Sequence, residues 1–284
     1  FGTASIIVCN HQSMLDSAVF MALSPKTILV SNSKVSRNRV IRKIYQWNGF
    51  ITLDDKNAIN DALIKDYIAH GYNLVVFPEG KRNDRSTISR FHKGAFLLAE
   101  RYGLDIQPLI IHGLNVVLPR NSSQVFTGSI TVKGYERVRQ DGHITYSEMT
   151  SRVHAFYKKE YERLAREIET AAYFAPLVED RYCYKGVEIY RSVHKNIKRN
   201  DCFTRWIDTS ESLSAVLIKN NDHGEFALLY ALVHPSTLVT VLEEDESKRA
   251  LLTYCAKGIA DNLQVTDHVD MKEAEEAGIK IISL

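Results

Sequence analysis

The sequence predicts an α/β fold built on a mixed, mostly parallel sheet flanked by helices. Two observations lead there. Short β-branched runs alternate with stretches whose apolar residues recur at helical spacing, and glycine or proline closes most of the helices. The usage, 45% hydrophobic and 25% charged, is that of a globular chain rather than a disordered one. With 284 residues there is room for one large domain or two modest ones.

In chain order, residues 5–8 read as a strand. Leu15, Ala18, Val19, Ala22 and Leu23 then fall at helical spacing, and Pro25 stops the pattern. Residues 27–30 are a strand. Ile59, Ala62, Leu63 and Tyr67 mark an amphipathic helix ended by Gly71. Residues 73–77 (NLVVF) are a strand stopped by Pro78. Ala95, Leu98, Ala99 and Tyr102 define a helix closed by Gly103. Residues 105–111 and 129–132 are further strands. From Tyr146 to about Ala175 a long exposed helix is expected, with Tyr157, Tyr161, Leu164 and Ile168 on one face. A helix over 187–199 follows. Beyond it come a strand (214–218), a helix (225–233), a strand (238–242), a helix (248–260) and a terminal apolar run (279–284). The expected domains are 1–146, a helical bridge over 147–205, and a smaller unit over 206–284.

Charge is uneven. The net charge of +2 conceals +6 over residues 1–104, +4 over 105–205 and −8 over 206–284. A chain so nearly neutral is not a basic nucleic-acid binder. The four cysteines, Cys9, Cys183, Cys202 and Cys255, form no CxxC pair and no metal-ligand spacing, so they read as free thiols of a reducing compartment. No apolar run is long enough to span a membrane and no signal peptide is present. The chain starts at Phe1 without a Met and is read as a piece of a longer polypeptide.

Two stretches carry chemistry. The first is Asn10-His11-Gln12-Ser13-Met14-Leu15-Asp16, just past a strand. A carboxylate in the first turn of the next helix is favoured by the helix dipole. It can reach back to fix the tautomer of a histidine in the preceding loop, which makes that histidine a general base. The bland alternative is a solvated histidine beside a capping aspartate. The second is Phe77-Pro78-Glu79-Gly80-Lys81-Arg82-Asn83, at the end of the NLVVF strand. Gly80 lets a backbone come close, Arg82 can grip an anion, and Glu79 can orient a hydroxyl. Alone, it reads equally as a polar turn. Both stretches sit beyond strand carboxyl ends, where α/β sheets bind ligands.

In order and at this separation, the two stretches resemble the principal blocks of the lysophospholipid and glycerolphosphate acyltransferases, NHxxxxD and FPEGTRS. Lys93-Gly94-Ala95 and Gln107-Pro108-Leu109-Ile110 resemble two further elements of that family. The resemblance covers about 4–140. It implies an acyltransferase-type sheet and acyl transfer from an acyl-CoA or acyl carrier protein thioester to a hydroxyl of a lysolipid. It implies His11 as the base, Asp16 as its partner, and Glu79, Gly80 and Arg82 as substrate-binding residues; the basic Lys81 and Lys93 beside them are read as substrate-binding too. No metal or bound cofactor is implied. The sequence departs from the pattern twice. Asp54 and Asp55 stand where the second block carries an Arg, and Lys81 replaces the usual Thr. The acceptor therefore stays open between a lysophosphatidic acid and an amino-acid-derived lipid or other alcohol.

Residues 17–53 carry Lys26, Lys34, Arg37, Arg39, Arg42 and Lys43 and no acid, which suits an anionic membrane surface or an acidic carrier protein. A second basic cluster, Lys81, Arg82, Arg85, Arg90 and Lys93 against Asp84, abuts the site and reads as phosphate handling. Tyr45 and Trp47 read as core first and lipid contacts second. His112 is expected in the core, His70 at a helix end, and His92 without a nameable partner.

Residues 214–246 resemble the opening βαβ of a class I S-adenosylmethionine-dependent methyltransferase, with Glu243 ending the second strand. The glycine loop is degraded to Asn220-Asn221-Asp222-His223-Gly224, so a truncated Rossmann-like unit without bound cofactor is expected. The order of the two units is similar to bacterial trifunctional proteins that join them to a membrane transporter. That similarity implies a place at the cytoplasmic face of the cell membrane. The rival of another class is a non-catalytic lipid-binding module of such a transporter.

Overall fold

The computed structural model describes residues 3–32, 43, 50–53, 61–83, 87–120, 124–140, 142–199, 201–219 and 222–283. The chain divides into two compact units. The first comprises Phe1–Gln124 and Ile130–Ala165; the second comprises Val125–Ser129 and Arg166–Leu284. The stretch expected as a bridge is thus shared between them.

The first unit is organised on six strands: β1 (Ile6–Cys9), β2 (Thr27–Asn32), β3 (Ile51–Leu53), β4 (Asn73–Val76), β5 (Ile106–His112) and β6 (Thr131–Gly134). Their order is β3-β2-β4-β1-β5-β6, and only β6 runs antiparallel. β1 lies between β4 and β5, with Ile7 opposite Val75 and Gln107. A strand so placed is covered on both faces, and IIVC is buried throughout. The described helices are α1 (Asp16–Leu23), α2 (Asp61–Ala69), α3 (Gly94–Tyr102), the short α4 (Leu114–Val117) and α5 (Tyr146–Ile168). Ile7, Cys9, Phe20, Leu29, Val75, Leu109, Ile111 and Leu114 form one core cluster beneath the ends of β1 and β4.

Three expectations shift. α5 ends at Ile168 rather than near Ala175, because Thr170 starts a new helix and its hydroxyl caps Tyr173 N–H. α5 is also not simply exposed: Met149, Val153, Tyr157, Tyr161 and Leu164 are buried. The strand expected over 129–132 lies two residues later, at β6. Ile59, expected in α2, lies outside the described residues.

The second unit holds α6 (Ala171–Tyr182), α7 (Val187–Arg199), α8 (Asp201–Thr209), β7 (Ala215–Lys219), α9 (Glu225–Val233), β8 (Leu238–Leu242), α10 (Glu246–Ala256), β9 (Leu263–Thr266), α11 (Met271–Glu276) and β10 (Lys280–Ser283). Its four strands are all parallel in the order β10-β7-β8-β9. Gly224 at the start of α9 has φ +91°, and a Cβ there would lie 2.5 Å from Leu252 Cδ1, so α10 packs directly on that backbone. α8, β9 and α11 were not expected.

Candidate active site

The site grows from the carboxyl end of β1. His11 follows the strand, and α1 begins five residues later with Asp16. His11 Nδ1 and Asp16 Oδ2 are 2.5 Å apart, with Asp16 fully buried and the imidazole side chain 22% exposed. The same carboxylate oxygen accepts the N–H of Gln12 at 2.8 Å and of Ser13 at 3.0 Å. Three converging donors fix the carboxylate, and the carboxylate fixes Nδ1–H as the protonated ring position. Among the described residues Nε2 makes no hydrogen bond. The partly exposed ring therefore keeps Nε2 as its unprotonated nitrogen, the atom a general base would use.

Asn10, Gln12 and Ser13, beside His11 in the loop, are anchored to other elements. Asn10 exchanges two hydrogen bonds of 2.8 Å with the backbone of Ile111. The Ser13 hydroxyl donates to Leu118 O at 3.1 Å. His11 N–H donates to Glu79 Oε1 at 2.9 Å, and His11 O accepts Asn83 N–H at 2.7 Å. The ring stacks on Phe77, with centroids 4.3 Å apart. The two sequence blocks thus meet side by side across the β1–β4 pair.

Glu79 is buried. Its Oε1 is taken by His11 N–H, and its Oε2 accepts Ser89 N–H at 2.9 Å and Asn83 Nδ2 at 3.4 Å. Burial pushes its carboxyl above the usual glutamate range, and these hydrogen bonds pull the other way. Both Glu79 oxygens thus accept donors within the protein, one of them the His11 backbone N–H. Gly80 follows at φ +66°, with His92 against it: a Cβ would lie 3.0 Å from His92 Cδ2. That contact supplies the neighbour His92 lacked in the sequence. Lys81 is exposed and Arg82 half-buried. Lys93 is exposed, and its Nζ donates to Ser147 Oγ at 2.9 Å.

Cys9 ends β1 and is fully buried. Burial first, then the charges of Asp16 and Glu79, push its thiol well above its ordinary value, so it supplies no thiolate nucleophile. His112 is buried, as expected. Phe77, Asn83, Ser89 and Tyr161 were not singled out in the sequence as site residues. Asn83 and Phe77 at least lie inside the second block. Gly49, Asp54, Asp55, Lys34, Arg37, Arg39, Arg42, Tyr45, Trp47, Asp84, Arg85, Asn220 and Asn221 lie outside the described residues. Among the described residues no group of His, Cys, Asp and Glu is arranged to hold a metal ion, and no helix is long and apolar enough to cross a membrane.

Residues 2–112 match the family model described as Acyltransferase. The chain is 27% identical over 145 residues to a 1-acyl-sn-glycerol-3-phosphate acyltransferase of Cocos nucifera, covering 49% of this chain and 47% of that one. It is 27% identical over 169 residues to the Helicobacter pylori enzyme of the same name, covering 57% and 71%. A solved structure, the 1-acyl-sn-glycerophosphate acyltransferase of Thermotoga maritima, aligns with TM-score 0.49 at 22% identity, covering 57% of this chain and 66% of that one. The chain spans about half the length, or less, of the plant relatives it matches. By its two blocks and by this match, residues 2–112 of the first unit are similar to the Acyltransferase family.

Proposed function

We propose that this chain moves a fatty acyl group from an acyl-CoA or acyl carrier protein thioester to a hydroxyl of a lysolipid such as 1-acylglycerol-3-phosphate. The observation that carries the reading is the 2.5 Å contact of a partly exposed His11 imidazole with the buried Asp16 carboxylate. His11 Nε2 removes the hydroxyl proton as the oxygen attacks the thioester carbonyl. Asp16, buried and fixed by two backbone N–H groups, stabilises the imidazolium that forms. The tetrahedral intermediate collapses with cleavage of the C–S bond, and the imidazolium returns its proton to the departing thiolate. The ester oxygen comes from the acceptor, so no acyl-enzyme is needed, and the buried Cys9 thiol offers none. Written this way, the reaction balances without a metal or cofactor.

Arg82 and Lys81 follow the turn after Glu79 and supply positive charge for an acceptor phosphate. Asp54 and Asp55 favour a second reading, an amino-acid-derived acceptor, because they place negative charge where the family carries an Arg. A lipid surface suits the face of α1: Met14 is 58% exposed and Met21 49%, Ala18, Ala22 and Leu23 are exposed with them, and Lys26 follows. The succession of this unit and a second parallel-sheet unit supports placing both in a longer membrane-transporter polypeptide, at the cytoplasmic face. The test is thiol release from long-chain acyl-CoA and acyl carrier protein with 1-acylglycerol-3-phosphate or a neutral amino-acid lysolipid as acceptor. Release dependent on the phosphate acceptor supports the first reading; release with only the neutral acceptor selects the second; release with neither rejects both.

A further inference from the structure

We propose that Tyr161, acting through the side chain of Gln12, is a positioning residue for the His11–Asp16 pair; the proposal rests on the catalytic reading above. Gln12 stands between His11 and the helix that carries Asp16. Its backbone N–H is one of the donors that fix Asp16 Oδ2, so wherever Gln12 goes the carboxylate loses or keeps its orientation. The backbone position is in turn set by the side chain, which is clamped at both ends. Gln12 Oε1 accepts Leu114 N–H at 3.2 Å from the start of α4, and Gln12 Nε2 donates to the Tyr161 hydroxyl at 2.6 Å. Gln12 is 2% exposed and Tyr161 1%, so water does not replace a lost partner. A buried amide whose donor is left unsatisfied moves toward solvent or rotates, and either movement drags the loop.

The neighbouring Tyr157 on α5 provides the contrast. Its hydroxyl donates to Val8 O at 2.6 Å and accepts Leu109 N–H at 2.9 Å, which ties β1 to β5 and touches nothing in the loop that carries His11. Two fully buried tyrosines one helical turn apart therefore do different work. Tyr157 secures the sheet, and Tyr161 secures the residue that orients the catalytic carboxylate. Nothing in the spacing of either block announces this pairing, because the partners are 149 residues apart.

The experiment compares Tyr161→Phe, Gln12→Met, the double variant and Tyr157→Phe, with His11→Ala alongside, in thiol release from long-chain acyl-CoA with 1-acylglycerol-3-phosphate. Folding is read by circular dichroism and thermal midpoint. Tyr161→Phe is expected to lower kcat about tenfold with KM for acyl-CoA changed less than about twofold. Gln12→Met is expected to do the same, and the double variant is expected to be no worse than the lower single one, since both break one connection. Tyr157→Phe is expected to lower the thermal midpoint while kcat stays within about threefold of wild type. The proposal is overturned if Tyr161→Phe keeps wild-type kcat, or if the two losses multiply in the double variant. Should Tyr161→Phe fail to fold, Gln12→Met decides alone, and wild-type kcat there overturns the proposal. If His11→Ala retains turnover, the catalytic reading itself fails; if His11→Ala is dead and Tyr161→Phe is normal, only the present proposal fails.

Discussion

The carboxylate of Glu79 accepts the backbone N–H of His11 at 2.9 Å, so the second sequence block holds the first in place from beneath the site. Its other oxygen holds Ser89 N–H at 2.9 Å. Glu79→Gln keeps the shape but turns one acceptor into a donor facing an N–H. The expected loss is about 10–100-fold in kcat, from a hydrogen bond to a charged group worth about 1.5–3 kcal/mol. There is also a pH signature. Burial raises the folded carboxyl above its ordinary 4.5, so over that window the native state binds more protons than the unfolded chain. Stability then falls as pH rises from the ordinary value through the raised one. Urea midpoints across that range should show this slope in the wild type and its loss in Glu79→Gln.

Gly80 adopts φ +66° against His92. Gly80→Ala should cost about 1–2 kcal/mol for the left-handed backbone, plus the close contact with the imidazole. In a His92→Ala background the contact is gone and only the backbone cost stays. Thermal midpoints should therefore drop less for Gly80→Ala in that background than in the wild type.

Arg82 is half-buried beside the turn after Glu79. If it grips an acceptor phosphate, Arg82→Ala raises KM for 1-acylglycerol-3-phosphate about 10–100-fold and barely changes KM for acyl-CoA. Steady-state kinetics with each substrate varied in turn separate these outcomes.

Met21 and Leu23, in the last turn of α1, are 49% and 45% exposed. Fully burying such a side chain in an apolar phase is worth about 1.5–3 kcal/mol. Met21→Ser with Leu23→Ser should weaken cosedimentation with anionic vesicles about tenfold or more, with the circular dichroism unchanged.

The legible parts were local. The helix from Asp16, the strand Asn73–Val76 and the Gly103 cap each follow from a few consecutive residues. The His11–Asp16 pair was legible too, because five residues separate its members and the helix start fixes their approach. What stayed hidden spans the sheet. That the Glu79 oxygens accept the His11 and Ser89 N–H groups is not legible in the block itself, because the partners are set by the fold. Tyr161 looks like one more apolar position of an amphipathic helix, although its hydroxyl reaches Gln12. In the second unit, β9 (LQVT) is too short and too polar for a period-two pattern to stand out, and α11 (MKEAEE) has no apolar stripe.

The most direct test of the central claim measures thiol release from long-chain acyl-CoA with 1-acylglycerol-3-phosphate for wild type, His11→Ala and Asp16→Asn, each shown folded by circular dichroism. A general base oriented by a buried carboxylate predicts a fall of about 10²–10⁴-fold for each variant, with the fold retained. A folded His11→Ala protein that releases thiol at the wild-type rate would contradict the account.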